Sequence, residues 1–262
     1  MLHLSFTYET LIYFLLIFAR ITGFVSIAPL TGGVNTGVTN SVKIAFSFLV
    51  SILLLPVVPL TTLEYHTTIA YAFIVIKEAV CGIILGFAAQ ICMQVTGVAG
   101  QIVDMMVGLS MSTVMDPSSG ENVTITSTLY NKIILVMMIV SGMYRYLISA
   151  VADSYKWIPI NGVVLREDSF AVVIAEFVKD FFIIGFRVAL PVFIVTFIVN
   201  IILGILAKVA PQLNMFSVGL QIKILVGFII MFISCSMLGS ASEFIMTSMR
   251  TLMENFIGAM KP

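Results

Sequence analysis

The chain has 262 residues, 60% of them hydrophobic and 10% charged, with a formal net charge of zero and a mean hydropathy of +1.14. Soluble domains carry about 45–50% apolar residues, so this composition excludes a soluble enzyme and reads as an all-α membrane protein; no Lys/Arg cluster offers a nucleic-acid or anionic-lipid patch. With only His3 and His66, and with Cys81, Cys92 and Cys235 in no CxxC spacing, a His-based metal site or acid–base pair has almost nothing to work with, and no catalytic residue, metal or cofactor is expected.

Taken in chain order, apolar runs at 11–28, 42–60, 69–96, 133–151, 177–206 and 216–238 predict about six long helices, each near or above the roughly 18 residues that a span requires. No basic region precedes the first run and no small-residue cleavage site follows it, so that helix is expected to stay. Ala28-Pro29 and the following TGGVNTG end it, and Pro56 with Pro59 ends the second.

The third run places Glu78, Gly82, Gly86, Gln90, Gly97, Gly100, Gln101, Asp104 and Gly108 on one helical face. This small, polar face suits close helix packing through Gly-xxx-Gly contacts, or a water-filled passage. A helix from 78 to 108 would run about 46 Å at 1.5 Å per residue against a hydrocarbon core of about 30 Å, so it is expected to tilt, break or leave the bilayer. Cys81 and Cys92 lie about 16 Å apart along it, too far for a disulfide, and read as core residues.

After it, residues 105–131 have no clear period. They begin with MMVGLSMSTVM and continue as DPSSGENVTITST. Met105, Met106, Met111 and Met115 surround Gly108 and Ser110, and Asp116-Pro117 with Gly120 supplies a turn. Either a movable segment or a methionine-rich packing segment fits, since Met fills irregular gaps without fixing one rotamer. A second polar connection at 153–169 holds Trp157, the single tryptophan, and reads as interfacial.

Arg20, Lys77, Glu78, Arg187 and Lys223 lie inside apolar runs, where a charge costs about 2.5–3.5 kcal/mol on insertion scales. A buried pair or a subunit contact is expected of them. Arg187 stands four residues before Pro191, whose missing N–H frees the carbonyl of residue 187, and a bend is expected near 187–191. Orientation is poorly encoded: Lys156, Arg166, Arg250 and Lys261 fall on the side of the termini, and Lys43, Lys132 and Lys208 on the other.

The most informative stretch is GILAKVAPQLNMFSVGLQIKILVG. Its Gly204, Lys208, Ala210-Pro211-Gln212-Leu213-Asn214, Phe216, Gly219, Lys223 and Gly227 resemble the most recognisable motif of the FliR/SctT family of type III protein export. Lys208 stands where the family usually has arginine, which keeps the charge and loses bidentate bonding. Arg20, Pro29, Lys43 and Pro56 match the family's opening hairpin, and GQIVDMMVGLSMSTVMDP its central glycine-rich segment; the likeness covers essentially the whole chain. One departure is Met143-Tyr144-Arg145, where members often carry Asn-Gly-His.

The resemblance implies a subunit of the export gate in the bacterial inner membrane, of the flagellar basal body rather than the virulence-type branch. Its implied partners are FliP-type and FliQ-type subunits, FlhB and FlhA, and the unfolded polypeptides exported. Residues 1–170 look FliP-like and 171–262 form a FliQ-like hairpin, so that helical hairpins stack in a larger helical assembly around a pore. Within it Met105, Met106, Gly108, Met111, Met115, Asp116 and Pro117, in the segment 105–121, would plug the pore. Lys208, Pro211, Gln212 and Asn214 would form a hairpin tip that contacts neighbours, and Gly82, Gly86, Gln90, Gly100 and Asp104 a packing or pore face. A small-solute secondary transporter would instead predict inverted repeats, and none is visible; an intramembrane hydrolase would need a nucleophile motif, which is also missing.

Overall fold

The computed structural model describes residues 8–29, 31, 38–59, 67–112, 114–115, 122–164, 167–210 and 215–261. Among them lie eight α-helices: α1 (Tyr8–Ile27), α2 (Asn40–Leu54), α3 (Thr68–Val107), α4 (Ile125–Val140), α5 (Met143–Trp157), α6 (Glu167–Val209), α7 (Met215–Ser234) and α8 (Met237–Met260). Among the described residues the departure from all-α structure is a clip between α3 and α4. There a 3-10 turn at Leu109–Ser112 leads into β1 (Val114–Met115), which pairs antiparallel with β2 (Asn122–Val123), Val114 opposite Val123.

Among the described residues three helices are long and apolar enough to cross a membrane, over Thr10–Ile27, Thr68–Val107 and Phe170–Val209. The bent pairs α4–α5 and α7–α8 bring the number to five if each counts as one span. The apolar run 133–151 is therefore not one helix: the chain breaks at Ser141-Gly142, where Gly142 has φ 72°, a left-handed conformation open to glycine. The third helix does not break. Its 40 residues make about 60 Å of continuous helix. Nor does Pro191 interrupt α6, which continues through it for 43 residues, about 64 Å.

Contacts divide the chain into two compact units that alternate along the sequence. One is Met1–Ile91, Gly142–Phe177 and Thr247–Pro262; the other is Cys92–Ser141 and Val178–Met246. In the first, α1 and α2 meet through Phe14 and Phe48, ring centroids 5.4 Å apart in an edge-on arrangement, and Leu16, Ile17, Ile21 and Leu85 are fully buried. Trp157, 54% exposed, carries the Lys261 ammonium 4.4 Å from its ring, a cation–π contact. In the second, Val103, Val107, Tyr130, Ala189, Val192 and Leu238 form the core.

Candidate functional site

In the first unit, Arg20 of α1 and Glu78 of α3 are both fully buried, with Nε donating to Oε2 at 2.6 Å. The guanidinium also donates to Ser154 Oγ at 3.1 Å and, twice, to the Ile158 carbonyl at 3.2 Å. It lies 4.0 Å from the Tyr155 ring. Glu78 takes a second bond, from the Asn161 amide at 3.0 Å. Asn161 has φ 66° and is the third residue of a turn closed by Gly162 N–H to the Pro159 carbonyl at 2.8 Å, the position at which a type II turn requires positive φ. The charges of both partners are thus compensated within the unit, as burial demands. Sequence reasoning singled out Arg20 and Glu78 and missed Ser154, Tyr155 and Asn161.

The same helices show what the glycines do. A Cβ on Gly82 would strike the Arg20 carbonyl, and one on Gly86 would come within 2.7 Å of the Phe24 carbonyl; α1 and α3 approach backbone to backbone where their charges pair. Gln90 Oε1 is buried without a hydrogen-bond partner among the described residues. In the second unit, Gly100 serves α4, since its Cβ would run into the backbone of Ser127. Four residues on, buried Asp104 accepts the Thr126 amide at 2.9 Å and the Thr126 hydroxyl. A carboxylate there satisfies an orphan amide and suits the positive end of the helix dipole.

Met105 and Met106 are not in a loop. They belong to the last turn of α3, held helical by Val107, which is fully buried and meets α7 at Gly227. Gly108, φ 94°, ends the helix with its N–H on the Asp104 carbonyl at 3.0 Å. Met111 lies in the 3-10 turn and Met115 in β1; Asp116 and Pro117 are outside the described residues.

Met105, Met106 and Gly108 line a cavity of about 340 Å³, together with Asn200 and Gly204 of α6 and Gly219 and Lys223 of α7. The structure therefore brings the methionine-rich end of α3 together with the α6–α7 motif residues. Lys223 makes no ion pair among the described residues and has the cavity for surroundings. Lys208 is exposed in the last turn of α6, where a cation suits the helix end; Pro211, Gln212 and Asn214 are outside the described residues. Arg187, exposed on α6, lines a separate cavity. No group of three metal-ligating side chains occurs among the described residues.

Long apolar helices joined by a buried ion pair and glycine contacts, with cations turned to cavities rather than to reacting groups, define a polytopic helical membrane protein. Residues 11–249 match the family described as bacterial export proteins, family 1, and the chain belongs to it. It is 30% identical over 231 residues to the flagellar biosynthetic protein FliR of Bacillus subtilis strain 168, covering 86% of each chain. To FliR of Pectobacterium carotovorum it is 30% identical over 80% of this chain and 79% of that one, and to FliR of Escherichia coli K12, 26% over 81% and 80%.

Proposed function

We propose that the chain is a subunit of the flagellar protein export gate in the bacterial inner membrane. It helps to form and close the pore through which unfolded flagellar proteins leave, assembled with FliP-type and FliQ-type subunits and contacted by FlhB and FlhA. Residues 1–170 act as the FliP-like part and 171–262 as the FliQ-like hairpin. The reading gives the chain no enzymatic step.

The observation that carries it is the cavity where Met105, Met106 and Gly108 face Lys223 and the glycines of α6 and α7. A pore that passes a polypeptide must hold back ions when idle, and flexible thioethers seal irregular space and then yield. Sealing is shared by Met105 and Met106 on the cavity and by Met111 and Met115 beyond Gly108, whereas Val107 is core and stays in place. Removing residues 113–121 spares Val107 and the Asp104–Thr126 cap. The shortened gate is expected to assemble and to leak ions, read as small-ion permeability of cells expressing the whole gate. A shortened gate that assembles and stays as tight as wild type contradicts the plug.

A further inference from the structure

The start of α4 is capped from another helix. Thr124 stands at its N-cap position with the extended backbone, φ −90° and ψ 158°, that a capping residue adopts, yet its side chain makes no cap bond. Its hydroxyl is buried and without a hydrogen-bond partner among the described residues, a costly state that calls for a reason. The amide two residues on, which a threonine at this position ordinarily satisfies, donates instead to Asp104 of α3, Thr126 N lying 2.9 Å from Oδ2.

Both groups that Asp104 holds have a second acceptor in the same unit. Rotation of Thr124 about χ1 brings its oxygen to the Thr126 amide, since the backbone is already in the capping conformation. The Thr126 hydroxyl, which donates to Asp104, also lies 3.6 Å from Met231 Sδ of α7. Released by Asp104, α4 therefore keeps a capped end. The two arrangements are unequal: a hydrogen bond to a carboxylate is about twice as strong as one to a neutral oxygen, and a bare buried carboxylate is costly, so Asp104 holds at rest and draws the helix back. The second strand of the clip, Asn122–Val123, runs directly into Thr124 and pairs Asn122 with Met115, so a shift at the start of α4 carries a methionine of the seal with it. We propose that this exchange of caps is the latch of the gate: Asp104 on Thr126 holds the clip at the end of α3, and transfer of the amide to Thr124 lets the clip swing without unwinding α4. The inference rests on the reading of the methionines from 105 to 115 as the seal.

Two measurements separate the latch from the seal. The first is amide exchange of Thr126 in the purified whole gate, read by mass spectrometry with electron-transfer fragmentation. Exchange should be unchanged in Thr124→Val, faster by about fivefold in Asp104→Ala, where the neutral cap takes over, and faster by about fiftyfold in the double variant, where no cap is left. A double variant no faster than Asp104→Ala overturns the exchange of caps. The second is small-ion leakage and export in cells expressing the whole gate. Asp104→Ala should leak, Asp104→Asn, which keeps one acceptor oxygen, should leak less, and Thr124→Val should stay tight and export several times more slowly. Co-elution of the gate subunits controls for assembly; should Asp104→Ala fail to assemble, Asp104→Asn with and without Thr124→Val gives the same comparison. Normal export by Thr124→Val overturns the latch, and so does a tight Asp104→Ala gate where removal of 113–121 causes leakage, which leaves the seal standing. Tightness in both overturns the seal and the latch with it.

Discussion

At Arg20 four hydrogen bonds, one carboxylate and one aromatic ring meet a single guanidinium with no water access. A buried pair adds little net stability over an apolar replacement, but removing one partner leaves a bare charge at a cost of about 3–5 kcal/mol. Glu78→Gln is accordingly expected to lower the unfolding midpoint in detergent strongly. The double change Arg20→Met with Glu78→Leu should recover most of the loss. Thermal unfolding followed by circular dichroism checks this, and a Glu78→Gln protein as stable as wild type contradicts it. Charge within an apolar run made both residues legible in the sequence. Their partners were not, because Ser154 and Ile158 lie 134 and 138 residues from Arg20, and Asn161 contributes its backbone amide through a turn rather than its side chain.

Among the elements, α3 holds its partners by absence of side chain. Gly82 and Gly86 admit α1, and Gly100 admits the start of α4. Overpacking a filled site costs typically about 1–3 kcal/mol, and here the obstacle is backbone that also carries the Asp104 cap. Gly100→Leu should therefore destabilise the protein by at least that range, whereas Gly258, with nothing within 4 Å of a built Cβ, should take alanine with a gain of up to about 1 kcal/mol from helix propensity. Unfolding midpoints separate the two, and equal losses would refute the assignment. The sequence pattern displayed this glycine face but could not name the helices on it, since periodicity gives a face and not a neighbour. It also concealed the break between α4 and α5: Ser141-Gly142 is a turn signal, outweighed there by the apolar residues on both sides. The segment from 105 on read as loop because methionine, serine and glycine blur the helical period, while Val107 and its contact with Gly227 extend α3 to its end.

For the whole molecule, helices of about 60 and 64 Å exceed a hydrocarbon core of about 30 Å. On α6 large apolar residues stay exposed far along its length, among them Phe182 at 62%, Phe197 at 55%, Ile201 at 50% and Ile205 at 60%. Contiguous apolar surface of this extent marks an interaction or membrane face, and an assembly of hairpins around a pore covers it more fully than lipid alone along helices twice the bilayer's depth. On this surface the chain works as one subunit among others. The most direct test is to tag it at native expression level, extract it in mild detergent and count the subunits that elute with it by native mass spectrometry. A single large species containing FliP-type and FliQ-type subunits is expected, with the chain absent from the monomer fraction. Recovery of the chain as a free monomer from cells that export flagellar proteins normally would contradict it.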